Sequence, residues 1–466
     1  FDCQLLIGGG AITQVQDYWG NSYFNPWLKD SNDEWRQYKG FCTDVLFDEA
    51  INWIKSQKNK PFFCYLASNA AHTPFYAPEK YKRPFLEKGL HDDTAAFYGM
   101  IVNLDDNLGK LRKVLEETGI AENTLLIFLT DNGSTLANGK NGFYNAGLRG
   151  GKASIYDGGS RAAAFFNWPG TLRENYKIDQ LAMHYDLLPT LSDLCGIPLL
   201  KGNGTAAVDG ISLRPFLMGE KTACSNRYYI VYQGFWPPDQ PLRQYENTSI
   251  RSQNFRLANG KELYDLRSDP GEKTNVINDF PKKFNELKRV YEQWWAGMAD
   301  ELPELRVYKP YPVGEMLNAP VTMCALHYYD STVYPAAQKW FETLFYEQSG
   351  LAALLRDEQS STPKNEPLMG SWKMDFKSAG TYRFVLGKGT ESTPAALTEI
   401  RPGKAHVRVG NQQVDVSIEQ TAQHVGIDVE ITEPGIQMVE CWFSGQRTDG
   451  KPSGAYFVHI FRTKDG

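Results

Sequence analysis

Residues 125–130 read LLIFLT and end in Asp131-Asn132-Gly133. A continuous apolar run closed by a turn signal predicts a strand covered on both faces, as in a parallel sheet. Open α/β sheets place ligands at the carboxyl ends of their strands, which is where Asp131 and Asn132 fall. A carboxylate beside a carboxamide offers hard oxygen atoms and neither sulfur nor imidazole, so the pair suits calcium or magnesium better than zinc. Gly133 lets the backbone turn away sharply. Asp-Asn-Gly alone is a common turn signal, and the weight of this reading comes from two further segments.

Glycines 147, 150 and 151 precede Lys152, and Tyr156, Asp157, Gly158, Gly159 and Arg161 follow it. A lysine on a backbone that can approach a ligand closely is a compact cation for a sulfate or phosphate oxygen. Residues 61–68, PFFCYLAS, predict a second apolar strand, with Cys64 as a buried thiol, and run into Asn69-Ala70-Ala71-His72-Thr73-Pro74. A histidine just past a strand and before a proline turn can donate to an anionic ligand or a leaving group.

These segments resemble the sulfatase family. The family pattern of a glycine pair, Lys, Tyr-Glu-Gly-Gly and Arg, leading to Trp-Pro-Gly, has its counterpart in Gly150-Gly151-Lys152, Tyr156-Asp157-Gly158-Gly159, Arg161 and Asn167-Trp168-Pro169-Gly170. The family's Pro-Phe-Phe-x-Tyr and Pro-His-x-Pro-Phe match Pro61 to Tyr65 and Ala71 to Phe75. The likeness continues in order through 97–119, Asn123-Thr124, 184–190, Asp209-Gly210 and 262–270, and covers roughly residues 1 to 300. It is closest to bacterial polysaccharide and aryl sulfatases. Asp157 stands for the usual Glu, Ala71 for Pro, and Ala162-Ala163 for Val-Pro.

The resemblance implies an alkaline-phosphatase-like sulfatase domain, with Asp131 and Asn132 as ligands of Ca²⁺ or another divalent cation. It implies Lys152 on the sulfate and the leaving oxygen, and His72 assisting charge development there. The family's nucleophile is a formylglycine made from Cys/Ser-x-Pro-x-Arg, and no such motif occurs in the 466 residues. The catalytic nucleophile is therefore assigned to none of them. The family's Asp-Asp metal pair and Lys-x-His segment are missing as well, so the chain is expected to begin in mid-domain.

Composition narrows the remaining choices. With 42% hydrophobic and 22% charged residues the chain is ordinary globular material. A net charge of −6 with scattered Lys and Arg gives no reason to expect a nucleic acid or an anionic membrane as partner. The apolar runs are of strand length, so no transmembrane segment is expected. Seven cysteines lack zinc spacing and leave at least one thiol unpaired in a monomer. A periplasmic or secreted location is implied by the family alone, and the oligomeric state is left open.

Four regions are expected. Residues 1–218 form a truncated sulfatase α/β domain with a mostly parallel sheet. It includes helices over 44–56 and from Phe97 to Gly119, the latter with Ile101, Leu104, Leu108, Leu111 and Leu115 on its apolar face and Asp105 and Asp106 on its solvated face. Residues 219–300 form a small α+β C-terminal subdomain, with short antiparallel strands and an amphipathic helix over 282–295. The 236–241 segment reads as a loop whose Trp236 either stacks on a sugar or anchors the loop by packing. Residues 301–366 form an irregular connector with one short helix over 336–346. Residues 367–466 form an antiparallel β-sandwich, because Trp372, Met374 and Phe376, then Tyr382, Phe384 and Leu386, then Val407, Val414, Ile427 and Val439 alternate with polar positions.

The resulting expectation is a sulfatase-like hydrolase of sulfate esters, acting on a sulfated glycan or an aryl sulfate, with these 466 residues inactive by themselves. Two alternatives stand beside it. One is a phosphodiesterase or phosphoethanolamine-transferase relative with a Ser or Thr nucleophile. The other is a catalytically silent glycan-binding protein that works through its β-sandwich.

Overall fold

The computed structural model describes residues 1–7, 21–57, 60–138, 143–199, 208–221, 227–233, 243–306, 310–324, 330–331, 348–364, 367–389 and 393–465. The 236–241 loop and the 336–346 helix expected from sequence lie outside them. The chain divides into two units, one of Phe1–Asn52, Pro61–Tyr76 and Val307–Gly466, the other of Trp53–Lys60 and Ala77–Arg306. The first begins with an antiparallel hairpin of β1 (Trp27–Lys29) and β2 (Trp35–Gln37), followed by α1 (Cys42–Gln57), whose residues from Trp53 on fall to the second unit. Helix α1 buries Cys42, Val45, Ile51 and Ile54 at helical spacing. Residues 61–69 make no strand, and Phe63, Cys64 and Tyr65 are exposed. Apolar content marks a strand only where a partner supplies the ladder bonds, so the predicted strand and buried thiol are both corrected.

In the second unit α2 (Glu79–Leu86) packs on α3 (Asp92–Glu117). His91 caps α3 by accepting from the Asp93 amide, and Asp92 and Asp93 place negative charge in the first turn. The buried face is Ala96, Met100, Asn103, Asn107, Leu111 and Val114, whereas Ile101 is exposed. Gly99 fixes this rotation: a Cβ there would lie 3.0–3.1 Å from Ala77, Tyr81 and Lys82, so α2 crosses at the side of α3 that has no side chain. Asp105 and Asp106 are on the exposed face.

Strand β3 (Leu126–Leu129) pairs with β4 (Ala164–Asn167), which follows the one-turn helix α4 (Asp157–Ser160). The pairing is antiparallel and β3 is half-buried, which corrects the expected placement in a parallel sheet. An apolar run encodes a wish for cover on both faces but not the direction of its neighbour. Helices α5 (Leu187–Cys195) and α6 (Arg214–Leu217) lead to an antiparallel sheet of β5 (Tyr229–Tyr232), β6 (Thr248–Arg251), β7 (Phe255–Ala258) and β8 (Glu262–Asp265). Helix α7 (Pro281–Arg306) lays Leu287 and Tyr291 against Ile250, Leu257 and Leu263 of that sheet.

The rest of the first unit is a two-sheet sandwich. Strands β9 (Tyr311–Val313), β10 (Val321–Cys324) and β11 (Asp330–Ser331) precede β12 (Gly370–Phe376), β13 (Gly380–Gly387), β14 (Gly403–Val409), β15 (Gln412–Ile418), β16 (His424–Ile431), β17 (Gly435–Ser444), β18 (Ser453–Gly454) and β19 (Phe457–Asp465). One sheet runs β10-β19-β13-β16, the other β11-β12-β17-β14-β15, with β9 parallel to β12. Inward residues Trp372, Phe376, Phe384, Val407, Ile427 and Val439 form the core, with Val414 at its margin. Among the described residues of 301–366, β9 and β10 are ladder strands rather than irregular chain, and Val313 and Met323 lie in the core. Prolines 310, 312 and 320 masked them in the sequence, since proline argues against a central strand and these are edges. No helix of the described residues is long and apolar enough to cross a membrane.

The helix Gln348–Gln359 is anchored by Glu358, which is 1% exposed and accepts from Ser453 Oγ at 2.8 Å and Tyr456 Oη at 2.5 Å, with Lys388 Nζ at 3.5 Å. Burial pushes the Lys388 ammonium below its ordinary range. Glu358→Ala is expected to destabilise the sandwich by roughly 3–5 kcal/mol, because it strands that charge; chemical denaturation measures it. Residues 348–466, which keep Glu358, should be less stable than residues 310–466 by roughly 3–6 kcal/mol, the worth of burying Val313 and Met323. Equal unfolding midpoints for the two fragments would contradict this.

Candidate active site

The end of β3 is tied down on several sides. Thr130 N donates to Ala163 O at 3.1 Å, Ala163 N donates to Thr130 Oγ1 at 2.9 Å, and His184 Nε2 donates to Thr130 O at 2.9 Å. Asp131 is exposed and Asn132 half-buried, with the Asn132 amide donating to Asp131 Oδ1 at 2.8 Å. Gly133 N then donates to Gly159 O at 2.9 Å, and Lys152 N donates to Ser134 O at 3.0 Å. The Asp131-Asn132 turn and the Lys152 loop are thus joined by backbone bonds, although 20 residues separate Asn132 from Lys152.

Glycine makes this approach possible. A Cβ on Gly133 would lie 1.8 Å from Gly158 O, and one on Gly158 would lie 2.1 Å from Gly150 O. The three backbone segments therefore touch at positions where no other residue fits.

Asp157, at the start of α4, is 1% exposed and faces two guanidinium groups. Arg251 Nη1 is 2.6 Å from Asp157 Oδ1, and Arg256 Nη2 contacts the same oxygen. Arg256 Nε lies 2.7 Å from Glu272 Oε1, and Glu272 Oε2 accepts from the Asp157 amide at 2.8 Å. Burial pushes the Glu272 carboxyl up and the Arg251 guanidinium down from their ordinary values. Arg149 lies 3.7 Å over the Tyr156 ring and donates to Tyr264 Oη at 2.8 Å and Glu272 O at 3.0 Å, beside a cleft of about 600 Å³. Burial pushes the Tyr156 phenol up to about 12, and it donates to Glu262 Oε2 at 3.2 Å. Sequence reading missed Arg149, Arg251, Arg256 and Glu272. Arg251 and Arg256 sit on four-residue strands, and Arg149 and Glu272 in loops, where no local pattern marks a buried partner.

His72 belongs to the other unit. It is half-buried, with Nδ1 2.8 Å from Thr73 O, and Tyr23 Oη donates to its carbonyl at 3.1 Å. A carbonyl can only accept, so the ring proton sits on Nδ1 and Nε2 can donate only in the imidazolium form. The buried Asp186 takes a forked contact from Arg227 at 2.7 and 2.8 Å and amide bonds from Met183 and Ile211, which seats the segment that carries His184.

The sulfatase family pattern matches residues 10–197, and that of the N-sulphoglucosamine sulphohydrolase C-terminal region matches 148–297. Residues 10–297 belong to the sulfatase family. The N-acetylgalactosamine-6-O-sulfatase of Bacteroides thetaiotaomicron is 30% identical over 272 residues, covering 53% of this chain and 50% of its own. Human arylsulfatase A is 28% identical over 290 residues, covering 58% and 53%. The chain thus spans about half the length of these relatives. The crystal structure of Ps i-CgsB in complex with k-i-k-neocarrahexaose superposes with a TM-score of 0.52 at 26% identity, over 63% of this chain and 66% of that one. The sulfatase fold expected from the sequence, alkaline-phosphatase-like with mixed α/β content, is therefore the fold of this chain.

Sulfatases as a family use a divalent metal and a formylglycine. Among the described residues no three His, Cys, Asp or Glu side chains gather where a metal could sit. Asp131 and Asn132 are oxygen donors of the right kind but supply two of the about six to eight that calcium takes. They fit a divalent cation in donor type and fall short in number.

Gly133→Ala is expected to force the strand end away from α4 and to destabilise the unit by roughly 1–3 kcal/mol. A thermal melt unchanged by this substitution would contradict the close approach.

Proposed function

We propose that this chain is the scaffold part of a sulfatase-like hydrolase of sulfate esters on glycans. The observation that carries the reading is the backbone junction between the Asp131-Asn132 turn and the Lys152 loop, made by Gly133 N to Gly159 O and Lys152 N to Ser134 O, within a sulfatase-family segment. In this reading Asp131 and Asn132 contribute oxygen ligands to a divalent cation of the calcium type, which when bound neutralises charge on the sulfate. Lys152 presents its ammonium to the sulfate and to the leaving oxygen. His72, with its Nδ1 proton held by Thr73 O, donates from Nε2 when protonated. A sulfated amino sugar or a longer sulfated glycan is the favoured substrate, supported by the name of the 30%-identical relative, and a periplasmic or secreted location belongs to the same proposal.

None of these groups attacks sulfur. The 466 residues contain no Cys/Ser-x-Pro-x-Arg from which a formylglycine could arise, so they are expected to release no sulfate by themselves. In a chain that also carries that motif, matured, Lys152→Ala is expected to lower kcat by about 10²–10³-fold, the usual effect of removing one donor aimed at developing charge. Sulfate release from an aryl sulfate and from N-acetylgalactosamine 6-sulfate measures both. Turnover by residues 1–466 alone, or an unchanged rate in the Lys152 variant, would overturn the assignment.

A further inference from the structure

Helix α4 is a single turn, DGGS, and two of its four residues are glycine. Such a segment has no helical stability of its own, since glycine carries the largest backbone entropy and one turn only nucleates. Yet Gly158 and Gly159 meet Gly133, and the junction between the Asp131-Asn132 turn and the Lys152 loop runs through them. The conformation of α4 must therefore be imposed from outside.

Arg256 on β7 is the group placed to do this. It is 0% exposed: Nη1 donates to Ile155 O at 2.6 Å and Ser249 Oγ at 2.9 Å, Nη2 contacts Asp157, and Nε lies beside Glu272 Oε1 in an ion pair without hydrogen-bond alignment. We infer that Arg256 is a positioning residue: by joining Asp157 and Glu272 it fixes α4, and through Gly158 and Gly159 it holds the Asp131-Asn132 turn against the Lys152 loop.

Simple stabilisation does not account for such a cluster, because a buried ion pair replaced by apolar groups of similar volume is often neutral or more stable. What a guanidinium adds is direction. Its planar fork fixes the Asp157 carboxylate and the Ile155 carbonyl at once, which a lysine or a methionine cannot do. Glu272 closes the frame by accepting from the Asp157 amide, so both the side chain and the backbone of the first α4 residue are held.

The functional sense of this inference rests on the sulfatase reading, but its test does not. Amide hydrogen exchange of the full chain is measured for the native protein, Arg256→Lys and Arg256→Met. Expected is a rise of about tenfold or more in exchange at Gly133, Lys152, Gly158 and Gly159 in the methionine variant, partly rescued by lysine, with smaller changes along β7 and β8. Unchanged protection at those four amides in a folded Arg256→Met would overturn the inference. So would an equal rise throughout β5–β8, which would mark a general loss of stability. If Arg256→Met does not fold, Asp157→Asn, which leaves Arg256 paired with Glu272, is expected to give the same local pattern, and unchanged protection there overturns the inference as well. The exchange readout needs neither metal nor ester, so its failure leaves the sulfatase reading intact, and an inert Lys152→Ala variant leaves the Arg256 frame intact.

Discussion

The guanidinium of Arg256, buried between Asp157 and Glu272, is the contact on which the candidate site depends. Moving such charges out of water costs several kcal/mol each, and only mutual pairing with good geometry offsets it. Here Arg256 Nε and Glu272 Oε1 meet as an ion pair only, and the remaining bonds of the cluster organise the surroundings. Arg251 shares Asp157, Ser249 bridges Arg256 and Ile155 O, and Glu272 takes the Asp157 amide. Three stretches far apart in sequence, 155–160, 249–256 and 272, are thereby committed to one arrangement. The glycine contacts at 133, 158 and 150 then pass that arrangement on to the strand end.

The sandwich is held by a different kind of force. Its core is a continuous apolar layer between two sheets, in which alternate residues of β12, β13, β14, β16, β17 and β19 interdigitate. Area burial is non-directional, so register comes from the pleat: a slip by one residue would turn Trp372, Met374 and Phe376 out to solvent. A polar exception is Glu358 with Lys388, Ser453 and Tyr456, where a helix outside the sheets is pinned by charge-assisted bonds in addition to its buried Ala352, Leu354 and Leu355. Apolar packing thus sets the body of this region, and buried polar contacts add direction where an attached element docks. The same division of labour holds at α4.

The sequence by itself determined the elements that short-range chemistry can specify. Helix α1, the helix from Asp92 to Glu117, strands β5 and β8 and the period-two strands from Gly370 onward follow from apolar spacing and glycine punctuation, whereas 249–257, which reads as one strand, is split into β6 and β7 by a turn. The motif order along 61–270 is enough to indicate the sulfatase family, and Asp131, Asn132 and Lys152 stand out by their motifs alone. Tertiary structure alone decided that β3 pairs antiparallel with β4, that 61–69 forms no ladder, that Gly99 turns the buried face of α3 away from Ile101, and that β9 and β10 belong to the sandwich. It alone placed Arg251, Arg256 and Glu272 around Asp157. The physical reason is common to these cases. Periodicity and turn residues act through neighbours along the chain, whereas strand direction, close backbone approach and the pairing of buried charges are settled by groups far apart in sequence, such as Asp157 and Glu272, 115 residues apart, whose partners no local pattern records.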